Sequence, residues 1–499
     1  MQEELQIKIN EYGKTIDKYA MSRDYKALSS LLEEMTSFAE MNPEAKGDAG
    51  FNYYIGTGYS TYSDYLVRSG TDQNDDQIIS LRSTAMFYLR KGYELYDPAI
   101  HLDSRAKLRV LTNYANALDT VGRVIEALRI YREILEINNQ FSIAMGNYGR
   151  ALSFLANMVN DSGHYNDLHC YAYQAINKSL EIPDFDMHEQ AVGAFQKIVD
   201  EYRGLPGVKI ASEPVVYKEY SIDEGEEKEY RNWCLINHLF LNPLNEVIKI
   251  EAAFAHDPLT ITSYTEFVNA GDVDAESSEE PPRWFAMVNQ LKEEYAYARY
   301  LCFEGSEKYG DVHYADKEVK LSFASYDYCN YSIRIEQIKA AFRILYSMLD
   351  QICFFVNDFW KLGIKERQAD AFHVYKSEKY PHDNLALNSL YWVLREFQEV
   401  YGDAEEPSEK HLAKLRNALE HKFVKVHEYK WDGKLQVEED GFYHVSEEDL
   451  KKYTLRLLSI IREALMYLVY AIGIDDSKKD KTGMVVPLSV SDYPDEWKR

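Results

Sequence analysis

Cysteine is scarce in this chain of 499 residues: five, at positions 170, 234, 302, 329 and 353, odd in number, far apart and without a CxxC pair. Such spacing excludes a disulfide-stapled scaffold, offers no structural zinc site and points to a reducing, cytoplasmic setting. Proline (13) and glycine (24) are also few, which sets aside collagen-like and low-complexity chains. Positive charge is in deficit, with 56 Lys and Arg against 82 Asp and Glu for a formal charge of −26. A surface coated all over by nucleic acid is thereby excluded, although a local basic site is not. The opening MQEELQIKIN has neither a basic region nor an apolar run, so no signal peptide is read there. The most apolar stretch, Leu457–Ile474, contains Arg462 and Glu463, which favours a buried bundle helix over a membrane span. No HExxH, P-loop, GxSxG or GxGxxG arrangement stands in a suitable context, so no metal or cofactor is called for.

What is present is an unevenly acidic, 46% hydrophobic chain long enough for two to four domains. The residues before Trp284 carry a net charge of −19 and the remainder −7, which makes the second half the better place for a polyanion. Residues 1–203 read as helix after helix, with apolar residues at three- and four-residue spacing. The clearest repeat is Leu111–Asn139, with Tyr114, Ala115 and Leu118 on a first helix, Gly122 in the turn, and Ala127, Tyr131 and Ile134 on a second. This spacing resembles the tetratricopeptide repeat, with weaker copies at Asn52–Tyr59 with Ala85–Tyr93 and at Gly146–Leu152 with Ala172–Leu180. The small and aromatic positions read first as helix packing. Such repeats also form a concave surface suited to a regulatory protein or peptide, and the 41 tyrosines suit that surface.

Residues 204–283 read as a connecting module that ends in an acidic linker, NAGDVDAESSEEPP, at Asn269–Pro282. From 284 to 499 the helical period resumes in Phe285–Phe303, Tyr331–Trp360, Leu385–Val400, Ser408–His427 and Ser446–Ile474, which predicts a helical bundle followed by a C-terminal tail. Ser446 with Asp449 resembles a capping box, and Glu447, Glu448 and Asp449 read as a helix start rather than metal ligands. Two Asp-Gly pairs within Tyr429–Val445 predict a small inserted β-hairpin. The fold class expected is all-α: helical hairpins, then a bundle carrying that insertion.

One segment carries chemistry. On a helix, Arg416, Asn417, Glu420 and His421 form a polar strip beside an apolar stripe of Leu412, Leu415, Leu419, Phe423 and Val426. Lys410, Lys414, Lys422 and Lys425 make the segment locally basic, a combination suited to a phosphodiester. The plainer reading is a solvated face in which Arg416 and Glu420 form an ordinary i,i+4 pair.

Here the sequence resembles the HEPN superfamily, whose nuclease members carry an Arg, four to six residues, then a His, often with a polar residue after the Arg. RNALEH supplies Arg416, Asn417 and His421. The order of parts is similar to a bacterial branch in which a preface containing LFLNPLN, here Leu239–Asn245, precedes the bundle, so that the resemblance spans about residues 230–474. It implies a metal-independent endoribonuclease of phage defence or stress response, working as a homodimer. The same Arg-to-His pattern occurs at Arg231–His238 and Arg367–His373, but only Arg416–His421 sits on a long amphipathic helix with basic flanks. His421 is suited to move a proton at the ribose 2′-hydroxyl or the leaving 5′-oxygen, and Arg416 to hold the phosphate in a bidentate fork. Asn417 would orient either, while Lys414, Glu420 and Lys422 flank the RNA. One His serves one end of an in-line cleavage, so a site shared across a two-fold axis is expected. The alternative is a non-catalytic helical-repeat scaffold that binds protein or nucleotide through a degenerate bundle.

Overall fold

A computed structural model describes residues 2–96, 104–182, 187–204, 225–249, 251–261, 263–267, 283–308, 312–322, 329–397, 409–428, 441–478, 485–489, 495 and 498. The chain divides into two compact units, one of Met1–Asn157, Tyr165–Val215 and Gly402–Glu405, the other of Met158–His164, Val216–Tyr401 and Glu406–Arg499.

The first unit is built on helices α1 (Gln2–Ser22), α2 (Tyr25–Met41), α3 (Ala49–Arg68), α4 (Asp76–Glu94), α5 (Ser104–Thr120), α6 (Val124–Ile137), α7 (Ser142–Ala156), α8 (Ser162–Glu181) and α9 (Glu189–Gly204). Helices α5 and α6 form the central hairpin. Gly122 turns the chain at φ +85°, where a side chain would be strained. Tyr114, Ala115 and Leu118 on α5 and Ala127, Tyr131 and Ile134 on α6 are all buried between neighbours, and the Tyr131 hydroxyl donates to Asn116 Oδ1 at 2.6 Å. The two weaker copies also pair as adjacent helices, and in each a glycine sets the approach. A Cβ on Gly56 of α3 would lie 2.9 Å from the Leu89 backbone nitrogen on α4, and one on Gly149 of α7 would lie 2.8 Å from the Ala172 carbonyl on α8. Glycine lets the backbones meet there.

The second unit is a bundle of α11 (Arg283–Glu307), α13 (Ile333–Phe359), α15 (Leu385–Arg395) and α17 (Glu447–Lys478), with α10 (Glu226–Ile236), α12 (Tyr314–Lys317), α14 (Ala371–Tyr375) and α16 (Lys410–His421) around them. Helix α17 is long and apolar enough to cross a membrane by length and composition, and 83% of its most apolar window is buried inside the protein. It packs on α11, α13 and α15 with nearly every residue from Leu457 to Ile472 out of water. Ser446 starts it: the Asp449 amide donates to Ser446 Oγ at 3.0 Å, and that hydroxyl donates to Asp449 Oδ2 at 2.7 Å.

The segment 225–261, read in the sequence as connecting chain, packs into this second unit. Leu239, Phe240, Leu241, Leu244 and Phe254 are buried, so the stretch adds to the core. Two arginines bind its backbone. Arg462 of α17 donates to the carbonyls of Phe240 (2.6 Å) and Asn242 (2.9 Å) and pairs with Glu246 at 2.5 Å. Arg299 of α11 donates to the Leu239 carbonyl at 2.9 Å and forks onto both oxygens of Asp257 at 3.0 and 2.6 Å. The acidic linker Asn269–Pro282 lies outside the described residues.

Two details depart from expectation. The helix expected over Ser408–His427 ends at His421, and strand β2 (Phe423–His427) follows. Alternating FVKVH has the residue types that pair in a sheet, and pairing overrides continuation of the helix. The partner is β3 (Phe442–Ser446), and the two run parallel, Phe423 opposite Phe442 and His427 opposite Ser446, rather than as an antiparallel hairpin. Residues 429–440 between them lie outside the described residues. A second ladder joins β1 (Ser263–Phe267) to β4 (Val485–Ser489), antiparallel.

Candidate active site

Helix α16 is placed by its apolar side. Leu412, Leu415, Ala418 and Leu419 are buried, and the helix packs on α13. Its first residues are tied down by Glu409, whose carboxylate accepts from Arg456 Nε of α17 at 2.9 Å. Burial of this stripe turns the opposite edge outward. Of the expected stripe, Phe423 and Val426 belong to β2: Val426 is buried, but Phe423 is 75% exposed. Its side faces water because a strand alternates every residue where a helix would have returned it to the stripe.

On the outward edge the structure brings together Arg416, Asn417, Glu420 and His421. Arg416 Nη1 donates to Asn417 Oδ1 at 3.1 Å, and the guanidinium lies 5.6 Å from the centre of the Tyr346 ring on α13. Glu420 is approached by Arg343 of α13 at 4.0 Å, while the Arg343 guanidinium donates to the Leu419 carbonyl at 3.0 Å. The within-helix pair Arg416–Glu420 therefore gives way to a contact across helices. His421 is exposed at the last helical position, and no hydrogen bond ties its ring among the described residues. Lys414 and Lys422 are exposed beside it. Lys425, one of the expected basic flanks, lies on β2 with its ammonium 4.0 Å from the centre of the Phe442 ring.

The sequence reading missed the wall that α13 provides. Arg343, Tyr346 and Asp350 recur at three- and four-residue spacing along a helix whose other faces are apolar, and this was the available signal. Burial pushes the Tyr346 hydroxyl above its ordinary value, and Arg416 opposes that shift. The Asp350 carboxyl is likewise raised by burial and lowered by the charge of Arg416. Asp350 thus sits within the electrostatic reach of the motif arginine, in partly desolvated surroundings.

The other two Arg-to-His pairs are occupied differently. Arg231 donates to the Ala255 carbonyl at 2.6 Å and pairs with Glu227, and His238 Nδ1 is 2.8 Å from the Asn245 carbonyl oxygen. His238 thus holds the end of the LFLNPLN segment, and Arg231 the chain at Ala255. His373 Nδ1 is 2.9 Å from Asp370, which also caps α14, and Arg367 lines a cavity nearby. Glu447, at the start of α17, accepts from Arg334 at 3.0 Å and Asn330 at 2.7 Å and pairs with Lys451, so it anchors the helix. Among the described residues no group of three or more His, Cys, Asp or Glu side chains gathers as metal ligands would. One pair was not foreseen: buried His427 places Nε2 2.8 Å from His444 Nδ1 across β2 and β3, which requires one ring to donate and the other to accept.

Residues 275–475 match the family model described as LA2681-like HEPN. The matched stretch contains α11 through most of α17, including the whole of α16, and begins after the LFLNPLN segment. No curated protein and no solved structure matches the chain.

Proposed function

From the match of residues 275–475 to the LA2681-like HEPN family model, we propose that the protein is an endoribonuclease that cleaves RNA at the Arg416–His421 strip. The observation that carries the reading is the pairing of a half-exposed guanidinium, bonded to one neutral amide, with an exposed imidazole on the same helix edge. Guanidinium groups held for structure are saturated with carbonyls and carboxylates; this one retains donors for an incoming phosphate. His421 removes the 2′-hydroxyl proton or protonates the leaving 5′-oxygen, Arg416 receives the charge that builds on the phosphate, and Asn417 fixes the guanidinium plane. The products are a 2′,3′-cyclic phosphate and a 5′-hydroxyl. A homodimer supplies the second proton-transfer group, and the helical hairpins of the first unit bind the protein or peptide that controls the enzyme, in a cytoplasmic defence or stress pathway. The deciding experiment incubates the full chain with total RNA in EDTA beside a His421→Ala control. Cutting by wild type alone supports the reading. Equal cutting by both moves the chemistry away from the Arg416–His421 strip, and cutting by neither returns the protein to the scaffold class.

A further inference from the structure

Beside the motif helix the bundle is hollow. A cavity of about 640 Å³ opens between α11, α13 and the chain entering α14, a volume within the range of small-ligand sites. Its floor is apolar and partly aromatic: Leu291 and Phe355 are buried, while Phe354 keeps 39% of its surface exposed. Polar groups stand around this floor. Asp350 forms no hydrogen bond among the described residues, nor does Arg367 at the rim. Gln351 lines the same space, and its Oε1 is buried without a partner. Asp370, by contrast, is already engaged by the His373 amide and ring. The free acceptors are therefore the Asp350 carboxylate and Gln351 Oε1, over an aromatic surface, with the Arg367 cation at the edge.

That set of groups fits a flat ring that presents donors. Among RNA bases, guanine alone carries two adjacent donors, N1–H and N2–H₂, that match the two oxygens of one carboxylate. Unpaired bases are read by stacking and by carboxylate or amide contacts to such edges. The position agrees. Asp350 lies one helical turn from Tyr346, about 6 Å along α13, and Tyr346 lies under the motif arginine. A phosphate at Arg416 thus leaves its own nucleotide's base within reach of Asp350.

We propose that this cavity is a base pocket for a guanine of single-stranded RNA, which donates N1–H and N2–H₂ to Asp350, stacks over Phe354 and leaves a neighbouring phosphate to Arg367. The proposal rests on the reading of Arg416–His421 as a cleavage site, and it fixes where that site cuts: beside guanine.

The test measures binding of nucleoside monophosphates to the full chain by calorimetry and maps cut sites in an unstructured RNA. GMP should bind about tenfold or more tightly than AMP, and IMP, which lacks the 2-amino donor, should lie between them. Asp350→Asn, which replaces an acceptor with a donor, should abolish the difference between GMP and AMP and flatten the base preference of the remaining cuts. Arg416→Ala should erase the advantage of GMP over guanosine, and Arg367→Ala the advantage of guanosine 3′,5′-bisphosphate over GMP. Melting curves matching wild type establish that these variants fold. Equal affinity for GMP and AMP in wild type, or an unchanged preference in Asp350→Asn, overturns the pocket. Selective GMP binding without RNA cleavage would keep the pocket and overturn the nuclease; His421-dependent cleavage without base preference would do the reverse.

Discussion

Two regions of the second unit use the same residue type to opposite ends. At the LFLNPLN seam, Arg462 and Arg299 are buried, and each meets several acceptors: three protein partners for Arg462 and three for Arg299, counting the Tyr230 hydroxyl at 2.8 Å. On α16, Arg416 is half-exposed, rests against an aromatic ring and bonds to one neighbouring amide. A buried guanidinium survives only when its donors are matched, because desolvation of an unpaired charge costs several kcal/mol. A guanidinium left partly in water retains donors for an external anion. The difference separates arginines that hold the fold from one that is available for chemistry.

The sharpest way to break this contrast is to remove the side chains proposed to carry the cleavage. His421→Ala and Arg416→Ala should each lower the rate of RNA cleavage by roughly 10²–10⁴, with the melting temperature little changed, since neither side chain is part of the core. Single-turnover assays on a defined RNA, with a thermal melt of the same preparations, check both halves of the statement. Mixing His421→Ala protein with wild type should depress activity more than dilution does if the site is shared between two copies. At the seam the outcome inverts. Arg462→Ala leaves the Glu246 carboxylate buried without its cation and should cost about 3–5 kcal/mol of stability in urea unfolding. Converting both partners, Arg462→Met with Glu246→Gln, should recover part of that loss.

How far the sequence reached follows from the kind of signal each region carries. Periodicity over long segments located α11, α13, α15 and α17, because one buried stripe per helix is written into residue spacing. The segments Asn52–Tyr59 and Gly146–Leu152 were legible as members of helical pairs for the same reason, whereas the close approaches at Gly56 and Gly149 appear only once the helices pack. The end of α16 was not. Phe423 and Val426 fit the helical stripe and also fit a strand, and the choice depended on β3, some fifteen residues later and paired in parallel. The strip Arg416–His421 was readable as local spacing, whereas the wall that faces it lies some seventy residues earlier on α13. Arg343, Tyr346 and Asp350 become neighbours of the motif only after the bundle has packed. The seam was hidden differently: Arg462 looked like a charge that interrupts an apolar run, and its role depends on carbonyls more than two hundred residues away.

A smaller effect tests the apolar side of the same helix. Leu415→Ala or Leu419→Ala opens a packed stripe against α13 and should cost about 2–5 kcal/mol, with the larger loss at Leu415, which is fully buried. At temperatures below the altered melt the cleavage rate per folded molecule should stay near that of wild type. A loss of rate in proportion to the catalytic variants, without loss of stability, would show that the stripe positions the chemistry rather than merely holding the helix.

The smallest effect is electrostatic and separates the two regions by pH. Burial alone would raise the Asp257 carboxyl, but the Arg299 guanidinium and the Leu241 amide, 2.6 Å from Asp257 Oδ1, hold it below its ordinary value. A carboxyl depressed in the folded state adds stability at pH values above its unfolded pKa, about 3.9, and that contribution is lost as the pH falls through the lower folded value. In the unfolded chain the group takes up its proton first, so acid favours unfolding over that interval. Urea unfolding of wild type between pH 5 and pH 3 should therefore show a fall in stability that is shallower in Asp257→Asn. The variant is less stable at neutral pH, having lost the charged partner of Arg299, and its curve approaches that of wild type at the acid end. The strip on α16 has no such buried carboxylate pair, so His421→Ala should leave this acid limb unchanged. Identical acid limbs for wild type and Asp257→Asn would mean that Arg299 is held by the Leu239 carbonyl and the Tyr230 hydroxyl alone.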